Sequence, residues 1–194
     1  MANQIKNLDK KIITSAKVEF LRAGYHGASL RQIALGAGTS TGSIYSRYNN
    51  KEGLFSATVE PTATMFLERI KEACIPQKAE VWTEQFQRDL WMGQIDFLYQ
   101  HMDELLLLLT DSSHTKYNSY KETLAALAAQ PICSRYAKKL DAKNVAKDVV
   151  IAIYVSIFTC LFEIILHRMQ KEDATRYISR LCSYFSMGWQ SVLL

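Results

Sequence analysis

The residues of this 194-residue chain whose types and spacing suggest chemistry lie in one short stretch, from Arg31 to Lys51. Ser40, Thr41 and Ser43 are small, uncharged and able to hydrogen-bond, and Gly42 among them has no side chain to hold another surface away. Tyr45 and Arg47 follow, a phenol and a guanidinium suited to phosphate oxygens or base edges. Lys51 stands where a helix is expected to begin, so its ammonium and the free N–H groups of a first helical turn attract the same phosphate oxygen. Arg31 adds a cation that is either a further backbone contact or part of a solvated face. This is the chemistry of holding a polyanion. No Ser/His/Asp or Cys/His constellation, phosphate-cradling loop or metal cluster is readable, so neither catalysis nor a cofactor is expected.

The charge is distributed to match. Residues 1–55 hold eight basic side chains against three acidic ones, whereas the remainder holds 15 basic and 16 acidic groups, for a formal +4 overall. A small basic unit on a near-neutral body suggests a polyanionic partner for that unit; a merely solvated basic surface is the plainer reading. With 48% hydrophobic and 22% charged residues, 8 Gly and 3 Pro, the chain buries a core and is not disordered or collagen-like. So few turn residues argue against many short strands, and an all-α fold is expected.

The positioning elements follow from periodicity and punctuation. A first helix is expected from about Asp9 to Ala23, with Ile13, Ala16 and Phe20 on its inner face and Gly24 ending it. Ser29 opens Ser-x-x-Gln with Gln32, a capping-box pattern starting a short helix to about Leu35. Gly36 and Gly38 stop that helix, Ser40 caps the next through Tyr48, and Asn50 caps a fourth beginning at Lys51. Residues 29–48 thus have the layout of a helix-turn-helix, with Ile33, Ala34 and Ile44 between two crossing helices and Ala37-Gly38 in the turn.

These residues carry a resemblance. Ala16-x-x-x-Phe20-x-x-x-Gly24-Tyr25, Ser29-Leu30-x-x-Ile33-Ala34, Ala37-Gly38-x-Ser40-x-Gly42-x-Ile44-Tyr45-x-x-Tyr48 and Lys51-Glu52-x-Leu54-Phe55, in this order, resemble the DNA-binding domain of the TetR (tetracycline-repressor) family of bacterial transcriptional regulators. The resemblance covers about a quarter of the chain. It implies a homodimer whose N-terminal domains read two half-sites of a palindromic operator in double-stranded DNA, and a C-terminal helical body enclosing a small-molecule pocket. It also implies phosphate contacts at Tyr45 and Lys51, and places Ser40, Thr41, Ser43 and Arg47 at the variable positions of the recognition helix. Two departures stand out: Thr39 replaces a usual apolar residue, and Asn49-Asn50 a more usual small or charged pair.

The expected organisation is therefore a helix-turn-helix DNA-binding domain over 1–55 and a helical ligand-binding and dimerisation domain over 56–194. In the latter, the fourth helix continues to about Cys74 with Pro61 bending or dividing it, and Pro76 lies in the break that follows. A long helix spans Ala79–His101, a leucine-rich one Asp103–Thr110, and another about Ser113–Ala129, closed by Pro131. Long apolar helices over about Ala142–Gln170 and Asp173–Leu193 end the chain.

Trp82, Phe86, Trp91, Phe97, Tyr117 and Tyr120 are the aromatic candidates for a pocket, suited to a flat or cationic hydrophobic ligand, although aromatics at helical spacing are usually core. Glu163, four residues before His167, either addresses a ligand or forms a local ion pair. Val149, Ile153, Ile157 and Leu161 with Ile178, Leu181, Phe185 and Val192 are candidates for a two-fold four-helix interface. The four cysteines are far apart, without zinc or disulfide spacing, and no secretory signal opens the chain, which points to the cytoplasm. The uncharged run from Val149 to Phe162 is short of the about 20 residues that span a bilayer, and Glu163 follows it, so a core or interface helix is the better reading.

The leading reading is a DNA-binding regulator, a repressor released by a small hydrophobic or aromatic molecule. The alternatives are a constitutive DNA-binding or DNA-organising protein and, less favoured, a small helical enzyme.

Overall fold

The computed structural model describes residues 2–74, 81–113 and 115–194. They form α1 (Ala2–Gly27), α2 (Leu30–Gly36), α3 (Thr41–Tyr48), α4 (Lys51–Ala73), α5 (Glu84–Met92), α6 (Ile95–Gln100), α7 (Met102–Thr110), α8 (Tyr120–Arg135), α9 (Ala137–Ala142), α10 (Lys147–Leu166) and α11 (Lys171–Leu193). No strand occurs among the described residues, and the chain is all-α. It divides into two compact units: residues 1–64 with 103–119, and residues 65–102 with 120–194. The first unit thus includes α7 and the turns after it, from the part of the sequence expected to belong wholly to the C-terminal body.

In the first unit α1 breaks at Gly24, whose φ of 67° is open to glycine and costly for other residues. Its inner face is Ile12, Ala16 and Phe20, all fully buried, rather than Ile13, which is half-buried. The helix also begins well before Asp9. Phe20 meets Phe55 edge-on at 5.1 Å, and Phe55 in turn meets Tyr25 at 5.3 Å. Ser15 fixes the crossing of α1 and α2 by donating to the Ile33 carbonyl at 2.9 Å.

Glu19 is buried on the same face. It takes both a two-pronged contact from Arg22 at 2.9 Å and the Ser29 N–H at 3.1 Å. The capping box is therefore half right: Ser29 Oγ accepts the Gln32 N–H, but the N–H of Ser29 goes to Glu19, not to Gln32. The Arg22 guanidinium, aided by the Ser29 N–H and opposed by burial, holds the Glu19 carboxyl below its usual range.

Tight geometry joins α3 to α4. Asn49 has φ 64° and ψ −48°, and the Asn50 N–H reaches back to the Tyr48 carbonyl at 2.7 Å, a γ-turn of the positive-φ kind. Asn50 caps α4 through the Gly53 N–H at 2.7 Å. Gly53 sits so close under the Tyr48 carbonyl that a Cβ would lie 2.0 Å from its oxygen. The asparagine pair that departs from the family pattern thus supplies both the turn and the cap.

The 103–119 segment is tied into this unit by polar contacts. Lys17 pairs with Glu104 at 2.8 Å, the Tyr25 N–H donates to Asp111 at 3.0 Å, and Lys116 pairs with Glu60. Leu105, Leu107 and Leu108 of α7 are buried.

In the second unit α10 packs on α8 and α11 on α5. Ala125, Ala128 and Ala129 of α8 are fully buried, small enough for a close helix approach. Trp91 meets Phe158 edge-on at 5.6 Å, and Phe66 stacks on Phe97 at 5.3 Å.

Several sequence expectations are corrected here. Pro61 does not divide α4, and Pro131 lies inside α8 instead of closing it. Residues 115–119 are turns rather than helix. The helix expected to reach His101 is two, parted at Gly93-Gln94, and its expected start at Ala79, like Pro76, falls outside the described residues. The helix expected from Ala142 to Gln170 is shorter, α10 being preceded by the separate α9. α10 has mean hydropathy 2.6 over an 18-residue window and by composition alone is long and apolar enough to cross a membrane; 44% of that window is buried inside the protein.

Two stability measurements check this account. Gly53→Ala should destabilise the protein by about 2 kcal/mol in urea unfolding, because the obstructing atom is backbone and cannot swing aside. Glu19→Gln should flatten the acid limb of stability. A carboxyl with a lowered folded pKa contributes fully above its ordinary value near 4.5 and loses that contribution as pH falls towards the folded value. An unchanged acid limb in the variant would contradict the pairing.

Candidate nucleic-acid interface

The local sequence builds α3 almost residue by residue. Gly38, at φ 65°, takes the turn conformation that a side chain would disfavour. Ser40 then caps the helix, its hydroxyl accepting the Ser43 N–H at 3.2 Å. Ile44 is fully buried and anchors the helix to α2, where Ile33, Ala34 and Ala37 are buried as well. With Ile44 inward, the outward surface carries exposed Ser40 and Gly42, half-exposed Thr41 and Ser43, and Tyr45 with 52% of its surface free. Arg31, on α2, is exposed. The first turn of α3 is thus small, hydroxyl-rich and open, the shape that lets a helix enter a groove and donate to base edges or phosphates.

The two cations at the end of this constellation are already engaged. The Arg47 Nε donates to Asp9 Oδ1 at 2.9 Å, and one of its terminal nitrogens donates to Ser43 Oγ at 2.8 Å. Lys51 Nζ donates to the carbonyls of His26 at 2.9 Å and Ala28 at 3.2 Å and lies 5.1 Å over the Tyr25 ring. Lys51 therefore closes the end of α1 onto the start of α4, a structural role that spacing alone does not reveal. Its ammonium still lies at the α4 N-terminus, where a phosphate is favoured. Sequence reasoning also missed Asp9, which lies on a different helix from its partner and was read only as a helix start.

Of the seven candidates for an effector pocket, six lie in the second unit and Tyr117 in the first. Trp91 borders a small void with Ile157, Leu161, Ile178, Leu181, Cys182 and Phe185, whose free space is only about 10 Å³. Phe97 is buried against Phe66, with the Arg69 guanidinium 5.2 Å from its ring. Phe86 and Tyr120 are buried. Trp82 is half-exposed, lying 5.4 Å from Tyr136 and under Lys139 at 4.4 Å. Tyr117 belongs to the first unit, next to Lys116. Glu163 makes the local pair with His167, at 2.8 Å. The Trp189 indole N–H is buried and has no acceptor among the described residues. The cysteines are all free thiols, and burial pushes that of Cys74 up to about 12.

A capped, outward-facing recognition helix on an all-helical chain defines a helix-turn-helix protein with a larger helical body. Residues 12–58 match the family described as "Bacterial regulatory proteins, tetR family". The chain is 29% identical over 87 residues to the HTH-type transcriptional repressor AcnR of Corynebacterium glutamicum, an alignment spanning 45% of this chain and 46% of that protein. It thus spans about half the length of this curated relative. Its fold is similar to that of a transcriptional regulator from Aquifex aeolicus, with TM-score 0.67, 17% identity, and coverage of 89% of this chain and 96% of that one. It is also similar to the TetR family transcriptional regulator PfmR from Thermus thermophilus, with TM-score 0.65, 14% identity, and coverage of 90% and 97%. The match to the TetR family therefore rests on residues 12–58, the helix-turn-helix part of the chain, and the structural likeness extends the fold over the rest.

The Lys51 contacts make a direct prediction. Lys51→Ala should lower stability by about 1 kcal/mol, from the loss of charge-assisted bonds to two carbonyls, whereas Arg31→Ala should leave it within about 0.5 kcal/mol. Urea unfolding of both variants at neutral pH checks it.

Proposed function

We propose that the chain is a dimeric DNA-binding transcriptional regulator, a repressor that leaves its operator when a small hydrophobic or aromatic molecule binds the helical body. The observation that carries the DNA half is the first turn of α3: capped by its own Ser40, anchored by Ile44 and outwardly free. The repressor named among the relatives supports the sign of regulation. The working unit is a cytoplasmic homodimer, in which N-terminal domains bind DNA and C-terminal domains bind effector and partner.

Of the residues singled out by periodicity, Val149, Ile153, Leu181 and Val192 keep open surface for pairing. Ile157, Leu161, Ile178 and Phe185 are buried inside their own unit. The outward stripe on α10 runs through Val149, Ile153, Ser156, Cys160, Glu163 and His167, and that on α11 through Tyr177, Leu181, Tyr184 and Gly188. Tyr184 and the adjacent Met187 are 66% and 62% exposed, large apolar surface that a second copy would cover.

For the effector half, the buried Trp189 N–H offers a donor to a ligand bearing an acceptor. The second reading, a constitutive regulator, is favoured by the void beside Trp91, far below the roughly 300 Å³ of a small-molecule site.

Selection from a random DNA pool tests the proposal. The wild type should enrich a palindrome whose half-sites lie about 10 bp apart, one helical turn, or a multiple of that spacing. Tyr45→Ala should weaken binding about tenfold, near 1.4 kcal/mol. Light scattering should give twice the 22.1 kDa chain mass, and Tyr184→Glu should shift it towards the monomer. No enrichment at low salt would refute the DNA half. A flat aromatic library that never releases the complex would leave the constitutive reading.

A further inference from the structure

Asp9 lies outside the residues that match the family, on α1, and reaches the recognition helix. Its Oδ1 accepts the Arg47 Nε–H at 2.9 Å, and its negative charge lies close enough to Tyr48 to help raise that phenol above its usual range, behind the larger effect of burial. From the other side Ser43 takes one terminal nitrogen of Arg47, through its hydroxyl at 2.8 Å and its carbonyl at 3.4 Å. The guanidinium is thus fixed in plane by two residues from two helices. Its second terminal nitrogen has no partner among the described residues. Asp9 and Arg47 side chains are 41% and 26% exposed, so both are within reach of solvent and of a bound polyanion.

We propose, resting on the DNA-binding reading above, that Asp9 is a positioning residue for DNA recognition: it aims the free edge of Arg47 and cancels its charge, so that the recognition helix gains little from indiscriminate phosphate contact. An unpaired arginine on α3 would neutralise a phosphate wherever the protein landed, and such contacts make up nearly all of non-specific binding. With Asp9 beside it, Arg47 brings no net charge to a random site. At the operator the fixed guanidinium edge still donates to one phosphate or base edge in the right register. Asp9 therefore lowers affinity for all DNA but lowers it most for the wrong DNA, which raises the specificity ratio.

The selected operator duplex and a scrambled duplex are titrated with the wild type, Asp9→Asn, Asp9→Glu, Arg47→Ala and the Asp9→Asn/Arg47→Ala double variant, from about 50 to 200 mM salt. Asp9→Asn keeps an acceptor for Nε but loses the charge. It is expected to bind scrambled DNA about tenfold more tightly and to steepen the slope of log K against log salt by about 1 for each arginine released. The operator should gain less, so the ratio falls. Asp9→Glu, which keeps the charge, should retain the wild-type slope, and Asp9→Ser, which removes it, serves as the readout if the asparagine variant proves unstable to heat. In the Arg47→Ala background the asparagine substitution should change little. Equal slopes and ratios for wild type and Asp9→Asn, with the wild type binding its operator, would overturn the inference and leave the DNA-binding reading standing. An undiminished effect of Asp9→Asn without Arg47 would overturn it too, because the carboxylate would then act on DNA directly. A wild type that binds neither duplex at about 50 mM salt would overturn the DNA-binding reading and this inference with it.

Discussion

The recognition helix has eight residues, and in water a helix of that length does not hold itself together, because nucleation costs more than so few hydrogen bonds return. Everything around it answers that deficit. Ser40 satisfies one open N–H at its start, and the γ-turn at Asn49 ends it within one residue. Ile44 fastens one side to buried Ile33, Ala34 and Ala37. The seven-residue α2 has the same problem and a similar solution, with Ser29 capping its first turn while Glu19 receives the N–H of Ser29 itself. The geometry presented outward by α3 is thus a property of the packed unit, and α1, which contributes Ser15, Glu19 and Asp9, is its main support.

How much of this was legible in the sequence follows the range of the interactions. The caps at Ser29, Ser40 and Asn50 act within three residues, and each was readable from residue type and spacing. The turn at Gly38 and the burial of Ile33, Ala34 and Ile44 were readable for the same reason. Interactions between helices were not. Glu19 sits beside Phe20 on the buried face, where a carboxylate looks misplaced until the Ser29 N–H, from beyond the end of α1, is seen to meet it. The partnership of Asp9 with Arg47 joins residues 38 apart, and that of Lys51 with His26 residues 25 apart. Two prolines misled in the same way. A proline removes one N–H and crowds the preceding turn, yet both Pro61 and Pro131 are carried inside helices whose remaining contacts hold them.

The second unit shows why an aromatic-rich sequence does not by itself point to a pocket. Its rings largely face one another: Phe66 with Phe97, Trp91 with Phe158, Tyr154 with Trp189. Periodicity identifies which positions of α10 and α11 are apolar, but it does not say which of two apolar faces turns inward. On a helix apolar nearly all round, that choice is made by the partner helices, here α8 for α10 and α5 for α11.

The placement of α7 has a consequence for how such a protein can be taken apart. The first unit is not one continuous piece of chain: residues 103–119 return to it after an excursion of 38 residues, and Glu104 and Asp111 are bound to Lys17 and to the backbone at Tyr25. A cut after residue 55 or 64 would remove a helix that belongs to the unit being isolated, exposing whatever Leu105 and Leu108 bury against. Hybrid chains assembled by joining this N-terminal segment to a foreign helical body would inherit the same gap. Modular exchange in this chain therefore has to carry two separate stretches together, and the seam for recombination is drawn by topology rather than by the end of the recognisable motif.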